Sequence, residues 1–171
     1  MAQYDLIATG NFTDTASTFS LTGIPGGYTD CIIVISNFRA DGNSAISASF
    51  NNNVNNNTYY TSYIAGNFAS GSSSIANTQR DDTDFFYMTL SNGQGSSSSS
   101  TFRIQVGQYA STSARKTFVA QGQTQNANGQ GFSTYSFGGT WMGTNALTSF
   151  QLKSGASMYS AIIKVYGIIN S

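Results

Sequence analysis

Apolar and polar residues alternate with a period of two along much of the chain. The clearest set is Phe102, Ile104 and Val106, which are separated by polar residues. Similar sets occur at Phe86, Met88 and Leu90, at Ala161, Ile163 and Val165, and more weakly at Ala146, Thr148, Phe150 and Leu152. Alternation of this kind predicts β-strands with one face on a core. Apolar spacing at three and four residues is not sustained anywhere, so no helix longer than about two turns is expected.

The run Cys31–Ile35 is apolar at every position. It predicts a central strand that is covered on both faces. Cys31 is the only cysteine, so an intramolecular disulfide is excluded. We expect its thiol to behave as a small buried apolar group.

Turn-forming residues separate the predicted strands. Ile24–Gly27 suits a type II turn, because Pro25 fixes the first central φ and Gly26 accepts a positive φ at the second. Asp41–Asn43 suits a hairpin between strands near 32–38 and 45–50. Polar loops are expected at Asn51–Asn57, Gly71–Ser74 and Ser96–Ser100, and Gln121–Gly131 is expected to end one strand and begin another.

Together these segments predict an all-β fold. Roughly nine to eleven short strands with frequent turns are typical of a β-sandwich, and we expect a jelly-roll-like one. Residues 1–171 contain no linker and no fixed repeat, so they predict a single domain. The last strand, around Tyr159–Ile168, is expected inside a sheet.

The composition of the chain limits the classes of function that we expect. Charged residues make up 8 %, net charge is zero, and aromatic residues reach 13 %. The chain can therefore build a core, while its surface must be polar but uncharged. Without a basic patch, binding to nucleic acid or to a membrane surface is not expected. No basic and apolar leader follows Met1, so we expect synthesis in a cytoplasm and no secretory route.

The residue types also limit the chemistry. Histidine and glutamate are absent, which excludes catalytic triads and the usual zinc or iron sites. We therefore expect no enzymatic activity, no catalytic residue, no cofactor and no metal. The one carboxylate cluster, Asp81-Asp82-Thr83-Asp84, is predicted to be a charged loop before an aromatic strand. Calcium binding is its alternative, with two-carboxylate catalysis further behind.

Two other features have a structural and a functional interpretation. Tyr59, Tyr60 and Tyr63 lie near the asparagine-rich loop and are predicted to form cross-strand or interface contacts. Stacking on sugars is their alternative. Asn11-Phe12-Thr13 and Asn56-Asn57-Thr58 match glycosylation acceptors, which we interpret as chance matches without a secretory signal.

Several short elements together resemble a known family. They are Phe19, Ile24-Pro25-x-x-Tyr28-x-Asp30, Phe50-Asn51, Tyr59-Tyr60, Trp141, Ala146–Leu152, Ser154-Gly155 and Tyr166-Gly167-Ile168. The pattern is similar to that of small virion proteins of tailed phages, frequent among phages of cyanobacteria and marine bacteria. The sequence departs from it at Ala161–Lys164, where small polar residues are usual, and at Cys31, where leucine is common.

The resemblance implies a jelly-roll-like virion component. Some members decorate or cement the capsid, and others are tail-fibre or receptor-binding modules. We expect a capsid decoration protein on the virion exterior, made in the cytoplasm of the bacterial host. Its expected partners are the major capsid protein shell and copies of itself, with which it is expected to form a homotrimer. The alternative is a tail-associated module that recognises a host surface glycan.

Overall fold

The computed structural model describes residues 3–41, 45–51, 59–69, 72–83, 85–88, 99–125 and 131–169. These residues form an all-β fold with eleven strands and no helix, as the alternation predicted. The strands are β1 (Gln3–Phe12), β2 (Ala16–Thr22), β3 (Asp30–Ala40), β4 (Ile46–Phe50), β5 (Tyr59–Ala69), β6 (Ser72–Thr83), β7 (Phe86–Tyr87), β8 (Ser100–Val106), β9 (Lys116–Gln125), β10 (Gly131–Trp141) and β11 (Ser149–Ile169).

The long strand β11 organises the fold. Its first half pairs with β2 and β4, and its second half pairs with β1 and β3, always antiparallel. The register with β2 shifts between Lys153 and Met158, and the register with β3 shifts again after Met158. Irregularities of this kind let a strand bend from one sheet into another. The expectation that Tyr159–Ile168 lies inside a sheet is therefore confirmed.

The eleven described strands form one continuous sheet through β11, and the two halves of β11 divide it into a large part, here the large sheet, and a small part, here the small sheet. The large sheet has the order β6-β5-β10-β9-β8-β3-β11-β1, and the small sheet has the order β7-β4-β11-β2. Phe50 of the small sheet packs its ring against Tyr59 and Trp141 of the large sheet, at centroid distances of 6.0 and 5.8 Å. The two sheets thus face each other across one core, as the predicted sandwich requires.

Large rings fill this core. Phe86 and Phe118 approach to 4.6 Å between centroids, and Phe50 meets Phe118 edge-on at 5.7 Å. The predicted inward residues are buried: Phe102, Ile104, Val106, Ala161, Ile163, Val165, Phe86 and Met88. The remaining member of these sets, Leu90, lies outside the described residues.

The apolar run on β3 occupies the predicted central position. β3 lies between β8 and β11, and Cys31, Ile33 and Ile35 are fully buried. On the opposite face Ile32 is buried but Val34 is half-exposed, so the second face is covered only in part. Burial raises the pKa of the Cys31 thiol to about 12, and it stays neutral as expected.

The hairpin predicted at Asp41–Asn43 is wrong. β3 and β4 do not pair with each other, because both run antiparallel to β11 along the same flank. Ala40 is opposite Met158, and Ile46 is opposite Ser154 further along. The chain therefore continues in one direction here and crosses from the large to the small sheet. Residues 42–44 lie outside the described part.

The type II turn predicted on Pro25 and Gly26 is also wrong. The left-handed backbone falls on Gly23 (φ 74°) and Gly27 (φ 131°) instead. Long-range hydrogen bonds hold the segment in place of a turn. The Tyr109 hydroxyl donates to the Pro25 carbonyl at 2.7 Å, which replaces the local contact that a turn would supply.

The start of β11 differs from the predicted alternation. Ala146 and Thr148 precede the strand, and Leu147 is the residue that is buried. Asn51 explains the boundary, because its side chain satisfies the backbone there. Its Nδ2 donates to the Ala146 carbonyl at 2.7 Å, and its Oδ1 accepts from the amides of Thr148 at 2.7 Å and Ser149 at 3.1 Å.

Of the predicted polar segments, one is confirmed, one is wrong in part, and two are described only in part. Gln121–Gly131 does end β9 and begin β10. The loop predicted at Gly71–Ser74 is wrong from Ser72 onward, because β6 begins there and pairs with β5. In the other two segments Asn51 forms a turn and Ser100 begins β8, whereas residues 52–58 and 96–98 are outside the described part.

Candidate functional site

The carboxylate cluster does not form the predicted loop. Asp81, Asp82 and Thr83 end β6, where Asp81 is opposite Tyr60 and Thr83 is opposite Tyr59. Pairing with β5 over the full length of β6 overrides the low strand propensity of aspartate. Asp84 is outside the described residues. In the described part of the chain, no three potential ligands of the His, Cys, Asp or Glu type come together to hold a metal ion.

A buried lysine is the most unusual ionisable group. The Lys116 ammonium donates to the carbonyls of Ser111 and Thr144 at 2.6 Å and of Ala114 at 2.7 Å. Its Nζ also lies 5.7 Å from the centroid of the Trp141 ring. Burial lowers the pKa of Lys116. All three ammonium protons have acceptors, so the Lys116 side chain holds the loop residues Ser111, Ala114 and Thr144 together. It is not placed to act as a nucleophile. No sequence spacing indicated it.

The three tyrosines of β5 separate into two kinds. Tyr59 and Tyr63 are buried in the core, as a structural role predicts. The Tyr59 hydroxyl accepts the Phe50 amide at 2.6 Å, and burial raises the pKa of Tyr59. Tyr60 points the other way and is 42 % exposed. Stacking on a ligand is therefore open to Tyr60 and closed to its two neighbours.

Tyr60 belongs to a broad surface, the outer face, on the side of β5, β10, β9 and β8 that is away from the core. The pairing registers place Ile64, Ser136, Gln121 and Arg103 in one row across the four strands. The other members are Tyr60, Ser62, Gly66, Phe132, Thr134, Gly138, Thr140, Thr117, Val119, Gln123, Gln125, Thr101 and Gln105. Arg103 is the single charged residue in this set, so hydroxyls and amides dominate the surface.

A depression lies at the centre of the outer face. It has a volume of about 530 Å³, and its lining includes Ile64, Val119, Arg103, Ser136 and Gly138. A second depression of about 650 Å³ shares part of this lining and continues toward Gln123 and Thr134.

Gly138 keeps the floor of the first depression low. A Cβ atom at Gly138 would stand 3.1 Å from the Phe118 carbonyl oxygen and 3.6 Å from Val119 Cγ1. The next residue, Gly139, faces inward, where a Cβ would stand 2.2 Å from the Tyr60 carbonyl oxygen. Glycine in a strand interior often marks such close backbone approach. The pair thus lets β10 lie tight against its neighbours.

Two aliphatic side chains stand beside the depression and face away from the core. Ile64 is 54 % exposed and Val119 is 63 % exposed. Single exposed aliphatic residues are ordinary, but these two border one concavity. The period-two pattern indicates that both point outward. It does not indicate that they share a depression, because that depends on the pairing of β5, β10 and β9.

Comparison with known proteins adds no family assignment: no protein-family model and no curated protein matches the chain. In the part of the chain that the structure describes, no helix has the length and apolar character needed to cross a membrane.

Proposed function

We propose that the chain is a structural protein of a tailed-phage virion that decorates the capsid shell and cements neighbouring shell subunits. The observation that carries this proposal is the composition of the outer face. Ile64 and Val119 form an apolar centre, Arg103 is adjacent, and uncharged hydroxyls and amides surround them. Protein interfaces have this arrangement: lysine and acidic residues are depleted at the centre, while arginine is enriched.

The virion context comes from the sequence. The elements Ile24–Asp30 and Tyr166–Ile168 resemble those of phage virion proteins. Hydroxyl and amide side chains can form direct and water-mediated hydrogen bonds across a wet interface. Weak contacts of this kind act together when many copies sit on one shell. A neutral chain also avoids charge repulsion between closely spaced copies.

Binding to empty shells that lack the protein tests the proposal. Val119→Glu places a charge in the centre of the outer face and should weaken shell binding at least about tenfold. Ser17→Glu adds the same charge to an exposed position on β2 and should leave binding unchanged. Decorated shells should also resist heat better than bare shells. A wild-type protein that does not bind shells, or that occurs in only a few copies per virion, would contradict the proposal.

Recognition of a host surface glycan is the second candidate. It is favoured by Tyr60, which is exposed at the margin of the outer face, and by the amides and hydroxyls of Gln121, Gln123 and Ser136 around the depressions. An aromatic ring beside hydrogen-bonding groups suits a sugar.

The two candidates give opposite results with the same protein. Under the glycan hypothesis, purified protein is retained by host cells or by their surface polysaccharide and not by shells. Tyr60→Ala should then abolish retention, whereas Tyr4→Ala, which removes another exposed tyrosine away from the outer face, should not.

A further inference from the structure

The outer edge of the large sheet at β1 is open. β1 pairs with β11 from Gln3 opposite Ile169 to Phe12 opposite Ala161, and no described strand pairs with its other side. β2 continues along the same flank of β11 to Thr22. Backbone N–H and C=O groups therefore line an edge about as long as β11 itself.

This edge lacks most of the protection that natural sheets give to such strands. Edges are usually short, carry lysine or proline, or are covered by another segment. β1 has ten residues and contains no lysine, arginine or proline. Tyr4 and Leu6 on it are 56 % and 54 % exposed. One bulge, between Leu6 and Ala8, is the only irregularity in its register with β11.

The one charge on β1 is already engaged within the chain. The Asp5 carboxylate accepts hydrogen bonds from the Tyr28 hydroxyl at 3.2 Å and from Gln3 Nε2 at 3.1 Å. Each of its two oxygens thus has a hydrogen-bond donor within the chain. The apolar character of the edge also extends into the sheet, because Leu6 is opposite Tyr166, which is opposite the buried Ile32.

We propose that β1 pairs antiparallel with β1 of a second copy of this chain, joining two large sheets into one across a two-fold axis. Another β-strand is the occupant that suits this edge, because a strand pairs with backbone donors and acceptors along its whole length. The second copy fits because it brings the same exposed Tyr4 and Leu6 and no net charge. The proposal does not depend on the virion function, and it puts a two-fold dimer in place of the homotrimer expected from the sequence.

Asp5 argues against one position of the two-fold axis, and the exposed Leu6 favours another. An axis at Asp5 would place two carboxylates directly opposite, which is unfavourable. An axis at Leu6 places the two Leu6 side chains together and sets each Asp5 against an uncharged residue of the second copy. Residues opposite each other across antiparallel strands approach to about 5 Å, so the two leucines would exclude water from each other.

Sedimentation velocity over a wide range of protein concentration tests the pairing with the full chain. The wild-type protein should reach twice the mass of one chain. Leu6→Lys places two ammonium groups opposite each other and should weaken the association at least about tenfold. Val119→Lys adds the same charge at another exposed aliphatic position, on the outer face, and should leave the dimer intact. Thermal melting should show that both variants fold.

Hydrogen exchange supplies a second measurement, since the outward amides of β1 should exchange more slowly as the dimer forms. A wild-type protein that stays monomeric at the highest concentration would overturn the proposal. So would a free trimer, which requires a different, head-to-tail contact. A dimer that Val119→Lys disrupts and Leu6→Lys does not would equally show that the edge is not the contact.

Discussion

The two faces of the strands β8, β9, β10 and β5 differ in almost every physical property. The inner face carries large buried side chains, among them Phe102, Phe118 and Phe137. The outer face of the same strands carries mainly serine, threonine, glutamine and glycine around a depression. Each strand therefore carries two separate sets of alternate residues: one set holds the sandwich together, and the other forms the surface for which we propose contact with a partner. Substitutions on the two faces should then change different quantities.

The largest expected effect on the free energy of unfolding comes from a ring buried in the core. Phe50 is fully buried and its ring contacts those of Tyr59, Phe86, Phe118, Trp141 and Phe150. Phe50→Ala should lower the free energy of unfolding by about 3–5 kcal/mol, measured by urea denaturation. Phe132→Ala, at an exposed ring on the outer face, is the matched control and should cost far less. Equal costs for the two variants would show that the faces are assigned wrongly.

Glycine-to-alanine substitutions compare how tightly the inner and the outer face are packed at single positions. A Cβ at the inward Gly122 would stand 2.0 Å from Phe102 Cδ1, so Gly122→Ala must displace a buried ring. We expect a cost of about 1–3 kcal/mol, as for other overpacked cores. At the outward Gly138 the nearest atom would be 3.1 Å away, and Gly138→Ala should cost less. Melting temperatures that rank in the opposite order would contradict the packing beneath the outer face.

Alkaline pH should lower stability through two groups buried in the core. Burial raises the pKa of Cys31 from 9.0 to about 12 and that of Tyr109 from 10.0 to about 12. The folded state keeps both groups neutral, so their contribution to stability is complete below pH 9 and is lost as the pH rises toward 12. The free energy of unfolding should therefore fall above pH 9.

A matched variant identifies the thiol as a cause of this fall. Cys31→Ala removes one ionisable group, so its loss of stability between pH 9 and pH 10 should be smaller than that of the wild-type protein. If the two proteins lose stability in parallel over this interval, Cys31 does not contribute.

The smallest effect on stability is expected on the outer face. Replacing both Ile64 and Val119 by serine should change the free energy of unfolding by no more than about 0.5 kcal/mol, because both side chains are largely exposed. The same double variant should lose shell binding. A stability loss of several kcal/mol would mean that these aliphatic side chains serve the fold and not a partner.

The alternation along single strands was predictable from the sequence, and pairing between distant strands was not. Phe102, Ile104 and Val106 face the core as expected, because period two is a local property of an extended chain. The predicted hairpin at Asp41–Asn43 was wrong because β3 and β4 both pair with β11, which is more than one hundred residues away in the sequence. Likewise Ser72 is in a strand because β5 supplies its partner.

The candidate site was only partly predictable for the same reason. Period two indicates that Ile64 and Val119 point outward, but the register of three strands brings them to one depression. Tyr60 was predicted together with Tyr59 and Tyr63, although the alternation itself separates it from them. The open edge depends on which strand β1 joins, and nothing in residues 3–12 specifies β11.

Lys116 has one further consequence. Three loop carbonyls surround the Lys116 ammonium group much as backbone carbonyls surround a bound metal ion. Here the cation is part of a side chain of β9 and is therefore covalently attached to the protein. A tethered ion cannot be diluted away, exchanged or extracted by a chelator. The local order of Ser111, Ala114 and Thr144 should thus be indifferent to the salt and divalent-ion content of the medium. A protein that passes into water of another composition carries this cation with it.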